Sequence, residues 1–239
     1  MSTAQSLEAF KSYLRCQRVM NADEEIKRKK TAPFVTISRL SGAGGNTVAD
    51  YLQKFLQEND KGCERPWTVL NKELVKTVLS EHGLPEEMAK FLTEHKVSEI
   101  RDLIEEMCGL HPPMFLLVRK TCETLLHLAG MGNVILVGMG GSVVTRRLKG
   151  GLHVRLVGSV EKRAEHDAQY YRISLDEAYK RLKWDDQGRK DYLKQNFGLD
   201  ADDPLLYDLT INTDHIPYQD AGELIGREVL KIRSRLNSI

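Results

Sequence analysis

The stretch SRLSGAGGNT, Ser38 to Thr47, sets three glycines between an apolar run and an amphipathic one. A glycine-rich turn from strand to helix lets backbone N–H groups converge on an anion. The helix N-terminus adds partial positive charge. Ser41, Gly42, Ala43, Gly44, Gly45, Asn46 and Thr47 are therefore candidates for cradling phosphates. A common phosphate loop reads Gly-x-x-x-x-Gly-Lys-Ser/Thr. With Gly44 on its second glycine, Arg39 replaces the first, Gly45 the lysine and Asn46 the hydroxyl residue. That lysine normally reaches the β- and γ-phosphates and offsets charge that develops there. Arg39 is the nearest substitute, because a guanidinium stays charged and forks onto phosphate oxygens. Thr47 offers magnesium a hydroxyl one position late, with Ser38 and Ser41 as weaker candidates. A tight turn that binds nothing is the plainer reading of the same glycines.

A second concentration of charge runs from Arg172 to Lys194. Phosphoryl transfer needs dense positive charge and excluded water. A mobile helical segment can deliver both when it closes. Arg181 and Arg189 stand eight apart, near two helical turns, with Gly188 expected to interrupt the helix. Asp185 and Asp186 are placed to hold these cations in register. A solvated, salt-bridged hairpin is the plainer alternative. Glu165-His166-Asp167 is contiguous, but helix neighbours point apart, which excludes a triad. His111 precedes two prolines and reads as a turn residue. Arg146, Arg147 and Lys149 complement a helix C-terminus as readily as a phosphate. Cys16, Cys63, Cys108 and Cys122 form no C-x-x-C pair and no zinc spacing, which fits idle thiols in a reducing cytosol.

These residues need elements to hold them. FVTIS (34–38), WTVL (67–70), NVILVG (133–138), LHVRLVG (152–158) and LYDLTIN (206–212) read as strands. The unrelieved apolar runs fit strands covered on both faces. Helices are predicted over 46–56, 72–80, 159–168, 174–183, about 188–196 and 218–236. Residues 85–131 read as helical in two or three pieces. Strands alternating with helices imply an α/β fold, a parallel sheet flanked by helices on both faces. Ligands then sit at the carboxyl ends of the strands. Residues 5–30 read as a helix with a loose apolar stripe, docked on the domain or on a partner chain, which leaves a homodimer open. The division is a helical extension over 1–32 and one domain over 33–239. Within that domain lie a helical insertion at about 85–131 and a lid at about 170–198.

Several stretches together resemble the cytidylate kinase-like family, a branch of the P-loop nucleoside monophosphate kinases. VTISRLSGAGGNTVADYLQ resembles its first motif, a strand, Ser-Arg, then a Gly-x-Gly-Gly loop without the lysine. WTVLNKELV resembles its second strand, and VILVGMGGSVV its third strand and turn. Ala178, Asp186, Arg189 and Tyr192 match its lid spacing, and Asp203 to Thr213 its closing motif. The resemblance spans about 34–232. It implies a P-loop nucleotide kinase-like three-layer sandwich, ATP with Mg2+, and phosphoryl transfer to a nucleoside monophosphate. On it Arg39, Arg181 and Arg189 become catalytic candidates, and Asn71, Lys72, Gly138 and Gly140 line the acceptor side. Thr47 becomes the metal candidate. Asn212 and Thr213 end the last strand near a base pocket. The chain departs from the family at Leu40, Asn46, Asn71, Lys72 and Met139, each altering charge near a phosphate or substrate position. A nucleotide-binding regulatory or interaction protein with weak or lost kinase activity is the alternative.

Composition narrows the partners. The 239 residues carry 35 basic and 34 acidic side chains, a net charge of +1. That balance gives no draw toward nucleic acid or a charged membrane surface. No apolar run approaches the roughly 20 residues of a spanning helix. Small-molecule nucleotides in the cytoplasm are the expected partners.

Overall fold

The computed structural model describes residues 32–63, 65–71 and 114–238. The N-terminal helix, the helix over 72–80, Lys72 and the first part of the insertion lie outside them.

Five strands form one parallel sheet: β1 (Phe34–Arg39), β2 (Thr68–Leu70), β3 (Val134–Val137), β4 (Gly151–Val157) and β5 (Leu209–Asn212), in the order β2-β3-β1-β4-β5. β1 is central, pairing with β3 through Val35↔Ile135 and with β4 through Ser38↔Arg155. Helices α1 (Gly45–Asn59), α2 (Met114–Met131), α3 (Gly141–Val144), α4 (Val160–Tyr171), α5 (Leu175–Phe197) and α6 (Tyr218–Asn237) surround it, and a 3-10 turn spans Pro204–Leu206.

The period of two in β1 divides the core into two layers. Val35 and Ile37 face α1 and α6, packing with Val48, Leu52, Leu56, Ile225 and Val229. Phe34 faces the other side with Leu125, Leu128, Ala129 and Leu136. All four residues of β3 are buried, as expected of a strand covered on both faces. Trp67 closes the first layer, its Nε1 donating to Asp60 Oδ2 at 2.8 Å. Arg233 Nε lies 2.7 Å from Asp60 Oδ1, an ion-pair distance that lacks a hydrogen-bond angle.

Two departures from the sequence expectation have a clear physical cause. α5 runs unbroken through Gly188 for 23 residues. A glycine costs a helix interior about 1 kcal/mol, and burial of Leu182, Tyr192 and Leu193 on either side outweighs that. A capping box at Ser174 and a left-handed Gly198 fix its two ends. The last strand starts later than predicted, because Asp203 and Pro204 seed the 3-10 turn first. Leu206 is buried there, but Leu205 is 77% exposed and does not pack.

Candidate functional site

The loop Leu40–Gly44 leaves the carboxyl end of β1 and turns into α1. Gly44 is its hinge, at φ 75°, with no side-chain cap. A β-carbon there would stand 2.5 Å from Tyr218 Cε1. Glycine is thus required twice over, by the backbone and by the tyrosine ring. The first-turn amides of α1 have no helical acceptor and form a site for an anion. A cleft of about 400 Å³ opens on them, lined by Arg39, Ser41, Gly42, Gly44, Gly45, Asn46 and Thr47. Ala43 is not in that lining. Its methyl is buried in the core and its N–H donates to Leu40 O at 3.2 Å.

Arg39 crosses this loop. A β-carbon on Gly45 would stand 3.0 Å from Arg39 Cγ and 3.1 Å from Cδ, so the stem lies directly over Gly45. The guanidinium continues to Gly138, where a β-carbon would meet Cζ at 3.0 Å. The side chain therefore spans the turns after β1 and β3. It lines both the open cleft and a smaller void beneath α5.

Helix α5 meets the loop through carboxylates. Ser41 N–H donates to Asp186 Oδ1 at 2.6 Å, and Ser41 Oγ donates to Asp185 Oδ2 at 2.9 Å. Arg163 on α4 completes the clasp, donating to Asp186 Oδ2 at 2.7 Å and to Ser41 O at 2.8 Å. Arg189 donates to Asp186 Oδ1 at 3.2 Å and lines the cleft beside the loop. Arg181 also lines it, but reaches it from the side. Its Nε is 3.1 Å from Asp167 Oδ2, without hydrogen-bond geometry, and its Cζ lies 3.7 Å over the Tyr171 ring. Burial pushes the Asp167 carboxyl above its ordinary range, opposed by the nearby Arg181 charge.

Beneath α5, the void is lined by Ser38, Arg39, Gly138, Gly140, Arg155, Arg189 and Lys190. Arg155 on β4 is buried and donates to Tyr207 Oη at 3.0 Å and Asp202 Oδ1 at 2.6 Å. Lys190 reaches the other oxygen of Asp202 at 2.6 Å, so Asp202 ties α5 to the sheet. Tyr207 Oη donates to Ala201 O and lies 3.3 Å from Ser38 Oγ. Asn71, at the end of β2, lines the open cleft. Met139 stands elsewhere. It is 4% exposed, packs with Phe34 and Leu136, and does not line the cleft. Asn212 and Thr213 do not line the cleft. Asn212 Oδ1 accepts from Asp214 N, and Thr213 Oγ1 donates to Val157 O.

A family model for the cytidylate kinase-like family matches residues 34–215. The chain belongs to that family. The fold is shared with a solved structure of low identity, and others align more loosely. An uncharacterized protein from Eubacterium ventriosum aligns over 82% of this chain and 98% of its own, at 16% identity and TM-score 0.54. The shikimate kinase from Acinetobacter baumannii, solved with shikimate, aligns over 84% and 95%, at 18% identity and TM-score 0.46. TT1252 from Thermus thermophilus aligns over 84% and 98%, at 16% and 0.45. No curated protein sequence matches significantly.

Within this family member the structure brings together Arg39, Arg189, Arg181 and the loop from Ser41 to Thr47, apart from Ala43. Gly138 and Gly140 fall on the adjoining void. Sequence reasoning missed Arg155 and Arg163. One signal existed for Arg155: a charge inside the apolar run LHVRLVG, where a strand covered on both faces should carry none. Among the described residues no group of three or more His, Cys, Asp or Glu side chains could hold a metal ion. Magnesium in nucleotide sites takes only one or two protein ligands beside phosphate oxygens and water. The Thr47 hydroxyl and the Asp185 carboxylate, both on the cleft, fit that role. Among the described residues no helix is long and apolar enough to cross a membrane.

Proposed function

We propose that the chain is a nucleoside monophosphate kinase of cytidylate-like type, moving the γ-phosphoryl group of ATP in the cytoplasm. The observation that carries this reading is Arg39. Its stem lies over Gly45, where a phosphate loop would place lysine, and its guanidinium reaches the turn after β3. A permanent charge thus stands between the donor side of the cleft and the acceptor side.

The roles follow from position. Backbone amides of Gly42 and of Gly44 to Thr47 hold the donor phosphates, helped by the α1 dipole. Arg39 and Arg189 stabilise charge on the group in transit, and Arg181 adds to it from the α4 side. Asn71, Gly138 and Gly140 orient the acceptor, and the family resemblance adds Lys72. Thr47 and Asp185 hold Mg2+. When bound, the metal neutralises charge on the phosphate oxygens.

A second reading has its own support. The Ser41 amide and hydroxyl are already engaged by carboxylates, which repel phosphate. A nucleotide-binding protein with little turnover would keep such a clasp. A coupled ADP-release assay across nucleoside monophosphates, with a thermal-shift screen beside it, separates the two. ADP release with at least one acceptor supports the kinase. Binding without release selects the second reading.

A further inference from the structure

Arg181 belongs to α5 but is held from α4. Its Nε is buried and lies 3.1 Å from Asp167 Oδ2. Its Cζ lies 3.7 Å from the centroid of the Tyr171 ring. Asp185 Oδ2, one turn along α5, is farther from the same Nε at 3.8 Å and already accepts from Ser41 Oγ at 2.9 Å. A carboxylate at its edge and a ring against its face fix a planar cation in two directions. A guanidinium has five N–H donors, four of them on the Nη atoms. Among the described residues neither Nη of Arg181 makes a hydrogen bond. The side chain is 38% exposed and lines the cleft that holds the loop.

Asp167 is costly where it stands. It is 4% exposed, and its Oδ2 has no hydrogen-bond partner among the described residues. It lies three residues after the buried Ala164, on the same face of α4. Ala164 packs there with Ala178 and Leu182 of α5. An apolar residue at position 167 would extend that contact without burying a charge. Replacing a buried ion pair by apolar side chains is often neutral or stabilising. Stability therefore does not account for this carboxylate.

We infer that Asp167 is a positioning residue for Arg181, with Tyr171 as the second support. The inference rests on the proposed kinase reading, in which Arg181 stabilises the phosphoryl group in transit. Asp167 and Tyr171 act only through the guanidinium. They hold its Nη donors in place beforehand, so a long flexible side chain need not be ordered at the moment of reaction.

The test is a double-mutant cycle on kcat. ADP release from ATP is followed with the nucleoside monophosphate that the parent turns over fastest. The full chain is used as parent, Asp167→Asn, Arg181→Ala and the double variant. Arg181→Ala should lose about 10²-fold in kcat. Asp167→Asn should lose about tenfold, with the KM for ATP within about twofold, because the loss falls on the transition state alone. In the Arg181→Ala background Asp167→Asn should cost nothing further. Tyr171→Leu should lose about fivefold and Tyr171→Phe should restore the parent rate, because the ring face supports the guanidinium. Melting curves check folding. Tyr171 is 44% exposed, so its variants carry the test even if Asp167→Asn does not fold. Unchanged kcat in Asp167→Asn and Tyr171→Leu overturns the inference. An equal loss from Asp167→Asn in both backgrounds also overturns it, since a purely structural residue behaves that way. No ADP release by the parent with any acceptor overturns the kinase reading and this inference with it, a result distinct from the other two.

Discussion

Gly45 stands where a phosphate loop carries lysine, so restoring that lysine is a direct perturbation. The structure indicates that Gly45→Lys alone will slow the reaction. The new β-carbon would lie 3.0 Å from Arg39 Cγ and 3.1 Å from Cδ. Carbon contacts settle near 3.5–4.0 Å, so the Arg39 stem must move by about 0.5–1 Å. Crowding of this kind costs about 1–3 kcal/mol. The larger loss is functional, because a displaced guanidinium no longer reaches Gly138. Removing one preorganised charge or donor typically costs about 10²- to 10³-fold in kcat. Arg39→Ala should show that full loss, and Gly45→Lys up to about 10²-fold. The double variant vacates the space and supplies a new cation, so its kcat should recover to within about tenfold of the parent. The ADP-release assay, run at saturating ATP on all four proteins, closes a double-mutant cycle with coupling above about 1.4 kcal/mol. Faster turnover in Gly45→Lys with Arg39 intact would refute the reasoning. So would strictly additive effects, since two side chains competing for one space cannot act independently.

Without Mg2+, Asp185→Asn should tighten pyrophosphate binding by about tenfold, measured by calorimetry, because a carboxylate no longer competes at Ser41 Oγ. Asp186→Ala should lower stability by about 3–5 kcal/mol in urea unfolding, because Arg163 is left buried without its anion. Stability should fall as pH drops below the ordinary histidine value of 6.5, because burial holds the His153 pKa below it. The unfolded chain then binds a proton that the folded chain resists, and the slope is at most about 1.4 kcal/mol per pH unit. His153→Gln should flatten that slope between pH 6.5 and 5, as read from unfolding curves.

The sheet was legible because its strands are short, apolar and separated by helical spacing. VILV in β3 is buried at every position, and no polar residue confuses its pattern. The loop was legible because glycine at a strand-to-helix turn has few other uses. Its lining was less so: Ala43 looks the same in sequence whether it faces ligand or core. Gly188 misled because a local propensity was weighed without the tertiary contacts of Leu182, Tyr192 and Leu193. Arg155 was overlooked because its meaning depends on Asp202 and Tyr207, about 50 residues away. Arg163 was overlooked for the same reason. Its partners Ser41 and Asp186 lie 122 residues before it and 23 after it. Pairings of this kind are set by chain crossings, and no periodicity announces them.

The unbroken α5 has a mechanical consequence. At 23 residues it is a rod of about 34 Å, and it bears both Asp185 and Arg189. Four residues along a helix lie on nearly the same face, one turn apart. Rolling the rod about its axis therefore cannot exchange one for the other opposite Ser41. Sliding it lengthwise by about 6 Å can. The sign of the charge offered to the loop is thus set by axial register, as on a slide rule. A stroke of one helical turn separates a carboxylate opposite Ser41 from a guanidinium there.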